Sequence, residues 1–156
     1  MPHDIEEDLP GFDEIDYSGV SNFLTRTGAV ELISLLDRQG YRFDEIDDLL
    51  DASRGTLHKR RDEAVGLGLI MPDQALRDGS VRRVFIPTTV GEVLRRKMRN
   101  IGVTQSHERL RNVRQEYETH KQQFLDWTTD TEEFEKDIID DLTGRGIPAD
   151  LFEDDK

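Results

Sequence analysis

The spacing of apolar residues changes once along this chain, between Leu69 and Pro87. That change limits the available folds more than any other feature. Elsewhere apolar side chains recur at intervals of three and four, the period of a helix facing a core. Met71 to Ala75 is short and strand-like, and Val81 to Ile86 is β-branched and aromatic. Asp78-Gly79 lies between them and is a two-residue hairpin signal, because such a turn needs positive φ at both central positions. A single hairpin in an otherwise helical chain argues against sandwiches, barrels and parallel α/β sheets. The expected class is mainly α with one small β-hairpin.

The helical stretches follow in order. Phe23, Leu24, Val30, Leu32, Ile33, Leu35 and Leu36 make a first apolar stripe, which Gly28 can kink or divide and Gly40 can end. Asp44 can cap a second helix with Ile46, Leu49 and Leu50 inward. Ser53 can cap a third that carries Leu57, Ala64, Val65 and Leu67 and ends at Gly68. Pro87 closes the hairpin. Thr88 or Thr89 then caps a helix bearing Val90, Val93, Leu94 and Met98, interrupted at Gly102. A longer helix over roughly 105–128 carries Leu110, Val113, Tyr117, His120, Phe124 and Trp127 at heptad spacing. Asp130 and Glu133 have capping-box spacing for a last helix with Phe134, Ile138 and Leu142 on its face.

Charge divides the chain differently. The 156 residues carry a formal net charge of -13. Residues 1–52 hold 3 basic and 14 acidic side chains, residues 53–114 hold 14 and 6, and residues 115–156 hold 4 and 14. A basic middle thus sits between acidic flanks. The total argues against nucleic acid as a partner, whereas the middle segment argues for it. Arg outnumbers Lys 16 to 5 and Asp outnumbers Glu 20 to 14. Together with the negative total, this resembles proteins of salt-in halophiles, where net charge keeps chains soluble. In molar salt a Debye length of about 3 Å screens the self-repulsion.

The order helix, helix, turn, helix, hairpin, helix is that of a winged helix-turn-helix. Arg42-Phe43-Asp44-Glu45-Ile46 opens the second helix, and Ser53-Arg54-Gly55-Thr56-Leu57-His58-Lys59-Arg60-Arg61 begins the third. Gly68-Leu69-Ile70 closes that helix, and Thr88-Thr89-Val90-Gly91-Glu92-Val93-Leu94 opens the one after the hairpin. Over residues 23–98 this run resembles the HxlR-like and PadR/MarR-like winged-helix transcriptional regulators, here of haloarchaeal type. The resemblance implies sequence-specific binding of double-stranded DNA by a homodimer that regulates transcription. Together with the acidic flanks and the heptad pattern, four regions are expected: an acidic, mostly irregular arm at 1–19, a winged helix-turn-helix at 20–102, a coiled-coil-like helical dimerisation region at 103–144 and an acidic tail at 145–156.

The residues fit that chemistry independently. A recognition helix needs small or polar residues near its start, so that backbone and side chains reach base edges in the major groove. Arg54, Gly55, Thr56, His58 and Lys59 supply them, and Arg60 lies where it can reach phosphate. The helix N-terminus also favours a phosphate. Arg77, Arg82 and Arg83 flank the hairpin turn, as in a wing that tracks the backbone or enters the minor groove. The seam residues Leu110, Val113, Tyr117, His120, Phe124 and Trp127 are candidates for dimerisation. They would set two recognition helices one DNA turn apart, about 34 Å. The alternative for that helix is packing within its own chain.

Two departures matter. Arg61 stands where the family usually places a core Leu, so either the helix is rotated or Arg61 lays its stem over a small core. There is no Cys, which removes the thiol sensing used by some relatives of this type, along with disulfides and thiolate metal sites. His3, His58, His107 and His120 form no metal-ligand spacing, and no nucleophile-elbow, phosphate-loop or dinucleotide pattern occurs. No enzyme activity, cofactor, metal or membrane segment is expected, and the location expected is cytoplasmic. A second reading keeps the winged fold without DNA and has the acidic flanks bind a basic protein partner.

Overall fold

The computed structural model describes residues 14–146. Within them lie α1 (Tyr17–Leu24), α2 (Ala29–Leu35), α3 (Phe43–Leu49), α4 (Arg54–Gly66), β1 (Ile70–Arg77), β2 (Ser80–Pro87), α5 (Thr89–Ile101), α6 (Val103–Thr129) and α7 (Thr131–Gly144). The described chain is mainly helical with one two-stranded antiparallel hairpin, a layout compatible with a winged helix. The N-terminal arm and the acidic tail fall mostly outside the described residues. Tyr17, Ser18 and Gly19 of the expected arm form the first turn of α1, where Asp16 accepts a hydrogen bond from the Gly19 amide at 2.9 Å.

The first apolar stripe is two helices. Gly28 takes φ 84 at the start of α2, a left-handed conformation that costs little only without a Cβ. Phe23, Leu32, Ile33, Leu36, Ile46, Leu57, Leu69 and Ile70 form the fully buried centre of one core. Ser53 caps α4 by accepting from the Thr56 amide at 3.2 Å. Thr88 caps α5 and also joins it to the end of α4. Its hydroxyl donates to the Gly68 carbonyl at 2.5 Å and accepts from the Gly91 amide at 3.1 Å. A Cβ at Gly91 would run into the Leu69 carbonyl oxygen, so α5 approaches that loop as closely as only glycine permits.

Several expectations are corrected. Asp44 does not cap α3. Arg42 is the cap residue, and its amide donates to the Glu45 carboxylate at 3.1 Å, while Asp44 sits in the first turn where a negative charge suits the helix dipole. Leu49, Val65 and Val93 are exposed, because the buried stripe on each of these helices is narrower than the apolar pattern suggests. α2 ends at Leu35, before Gly40, and α4 ends at Gly66, before Gly68.

The hairpin runs the full length from Ile70 to Pro87, with Leu76 opposite Val81, Gln74 opposite Arg83 and Pro72 opposite Phe85. Asp78 (φ 51) and Gly79 (φ 78) make the type I′ turn expected of that dipeptide. A stub of a third strand was not expected from the sequence. Tyr41 pairs with Phe85, each amide bonding the other's carbonyl at 3.2 and 2.9 Å. β2 is therefore the middle of the small sheet. The Tyr41 phenol is held neutral to higher pH than usual, first by burial and then by the Asp37 charge.

The chain divides into two compact units, up to Arg111 and from Asn112 onward. The division falls inside α6 rather than at Gly102, since Val103 packs on the core of the first unit. In the second unit Asp130 caps α7. The Trp127 ring meets Phe134 edge-on at 4.9 Å and Phe124 at 5.9 Å, and its indole N–H donates to Asp137 at 2.7 Å. No helix among the described residues is long and apolar enough to cross a membrane.

Candidate nucleic-acid interface

The basic residues of α4 divide into bound and unbound groups. Arg54 opens the helix and pairs with Asp44 at 3.1 Å and Asp47 at 3.0 Å, both on α3. Those two carboxylates hold its guanidinium charged more firmly than usual. Arg60 is mostly buried. It donates to the Thr27 carbonyl at 2.8 Å and pairs with Glu63 at 2.6 Å, and Glu63 also pairs with Arg26. His58 stacks on the Phe43 ring at 3.9 Å. These three side chains therefore fix α4 against the α1–α2 loop and α3. Thr56 is half-buried and accepts a hydrogen bond from the Ser53 hydroxyl at 2.9 Å.

Gly55 and Lys59 remain outward. Both are exposed, and a Cβ at Gly55 would meet nothing within 4 Å. Lys59 makes no hydrogen bond or ion pair among the described residues. They are one helical turn apart, so they share a face.

Arg61 is half-buried, and its guanidinium pairs with Asp62 at 3.0 Å while lying near two rings. Its guanidinium lies 5.0 Å from the Phe43 ring centre and 5.5 Å from that of Phe85. Such cation–ring contacts are worth about 0.5–1 kcal/mol at exposed sites. Phe43 and Phe85 were not singled out in the sequence, yet they tie α3, α4 and the hairpin together. Phe85 stands two residues after Arg83, whereas Phe43 lies eleven residues before Arg54, so only the fold brings it to the basic helix.

The three hairpin arginines have different settings. Arg77 donates to the carbonyls of Gln39 at 3.1 Å and Gly40 at 2.6 Å, and so pins the hairpin to the α2–α3 loop. Arg83 is exposed and lies 5.3 Å over Phe85, the ring that Arg61 also approaches. Arg82 is exposed, points to the other face of the hairpin and has no hydrogen-bonding partner among the described residues.

On α6 the seam residues Leu110, Val113, Tyr117 and Phe124 are each about three-fifths exposed, and His120 is exposed too. Trp127 turns instead toward α7. No cluster of candidate metal ligands occurs among the described residues. Comparison with protein-family models, curated proteins and solved structures returns no match to this chain.

Proposed function

We propose that this chain is a winged-helix protein that binds double-stranded DNA as a homodimer and regulates transcription. α4 is the recognition helix, entering the major groove with Gly55 and Lys59 foremost and Thr56 at its edge. The hairpin is the wing, with Arg82 and Arg83 at phosphates. Arg54, His58, Arg60 and Arg77 position these elements rather than meeting the duplex with free charges.

One observation carries the reading. Phe85 of the hairpin lies under guanidinium groups from both α4 and the hairpin, Arg61 at 5.5 Å and Arg83 at 5.3 Å. That shared ring packs the hairpin against the Arg61 face of α4, which supports a wing held firmly beside a helix whose Gly55 and Lys59 face turns outward. Of the apolar seam on α6, the part from Val113 to Phe124 is the proposed dimer contact, because large apolar side chains at heptad spacing stay wet in a single chain. A chain of net charge -13 suits a high-salt solvent, where release of counterions from phosphate contributes little. Base contacts and shape fit then carry the binding.

Anisotropy titrations of labelled duplexes test this. Arg82→Ala with Arg83→Ala should weaken binding to all sequences alike and lower the salt slope by about 2. Lys59→Ala should instead change sequence preference, by about 1–3 kcal/mol at one base pair. Undiminished binding by both variants overturns the proposal.

A further inference from the structure

The hairpin carries an apolar feature that its arginines do not explain. Leu76 is 70% exposed and Val81 is 65% exposed. They stand directly opposite each other, one pair back from the Asp78-Gly79 turn. Arg77 and Ser80 close the two-residue turn as a hydrogen-bonded pair, so Leu76 and Val81 form the next, non-hydrogen-bonded pair. Side chains of such a pair approach most closely and act as one apolar block. Alternation along the strands puts this block on the same face as Gln74, Arg83 and Phe85. A shallow groove lined by Pro72, Gln74, Val81 and Arg83 continues that face.

We infer that Leu76 and Val81 form a wedge that enters the minor groove of duplex DNA and opens a base step. This rests on the DNA-binding reading above. Apolar side chains inserted between base steps unstack them and kink the duplex. Two features favour DNA over a protein partner for this block. Arg83 lies beside it on the same face, placed for the phosphates that border the groove. An apolar wedge keeps its contribution as salt rises, whereas phosphate contacts lose theirs.

The test uses the full chain and a duplex selected from a random pool, end-labelled for energy transfer and carrying 2-aminopurine at successive steps. Wild type should bring the duplex ends closer and raise 2-aminopurine fluorescence at one step. Leu76→Thr with Val81→Thr puts β-branched strand formers at two wet positions and should fold like wild type. It should lose both signals and bind about tenfold more weakly, a change of roughly 1.4 kcal/mol, with an unchanged salt slope. Arg83→Ala should keep the fluorescence signal and lower the slope. If wild type selects no duplex, the DNA reading fails and takes the wedge with it. If wild type binds and the double variant bends and unstacks the duplex equally, the wedge is overturned while the DNA reading stands. Loss of self-association in the double variant, with DNA geometry intact, assigns the pair to a protein contact and also overturns it.

Discussion

Substitution of Gly55 separates what the fold needs from what a ligand needs. Gly55 is the second residue of α4 and is exposed, and an added Cβ would meet nothing within 4 Å. Its backbone has no positive φ, so a side chain brings no strain. Glycine costs about 0.5–1 kcal/mol relative to alanine inside a helix. Gly55→Ala should therefore stabilise the fold by up to about 1 kcal/mol, or roughly 2–4 °C in melting temperature. Gly55→Leu should be at least as stable as wild type, since leucine is also a strong helix former. On a duplex the order reverses. A leucine side chain at the leading edge of α4 holds the helix away from the groove floor. The Leu variant should lose at least about tenfold in affinity, or 1.4 kcal/mol. Circular dichroism melts and anisotropy titrations at the same salt read the two effects. A Leu variant that is stable and binds DNA like wild type would refute the placement of α4 in the groove.

Gly91→Ala has the opposite signature. Its Cβ meets the Leu69 carbonyl, so the melt should show a loss of about 1–3 kcal/mol from forced displacement. Tyr117→Asp with Phe124→Asp places charges in the proposed seam, and sedimentation should show monomers with an unchanged helical signal; persistent dimers would remove α6 as the seam. Tyr41 has a raised folded pKa, caused first by burial and then by Asp37. The stability it contributes is therefore complete below its ordinary value of 10.0 and lost as pH climbs through the raised one. Tyr41→Phe should flatten the alkaline limb of a stability–pH curve, and an identical limb in both proteins would contradict this.

Much of the architecture was legible because local chemistry and tertiary packing agree. Asp78-Gly79, Ser53, Thr88, Gly28 and Asp130 each do in the fold what their type predicts. Tyr41 was not legible as a strand, because one residue paired to β2 has no period to detect. Arg42 was not legible as a cap because arginine has no side-chain acceptor for the helix amides; the Glu45 carboxylate instead accepts from its amide at 3.1 Å and from its guanidinium at 3.3 Å. The charges were the hardest to read. Arg54, Arg60 and Arg77 look like free cations in the sequence, yet their partners Asp47, the Thr27 carbonyl and the Gly40 carbonyl lie at positions only the fold brings near. Lys59 and Arg82 differ from them only in lacking such partners. The basic middle of the chain is thus partly an internal brace, and the charge left for a ligand is smaller than its sum.

Selection from a random pool of duplexes at molar KCl, followed by sequencing, tests the central claim most directly. DNA recognition by α4 in a dimer predicts enrichment of one inverted repeat, with half-sites about 10 bp apart or a multiple of that. The preference should shift at one position in each half-site for Lys59→Ala. A pool that stays unenriched after repeated rounds, with folded protein recovered throughout, would contradict the account.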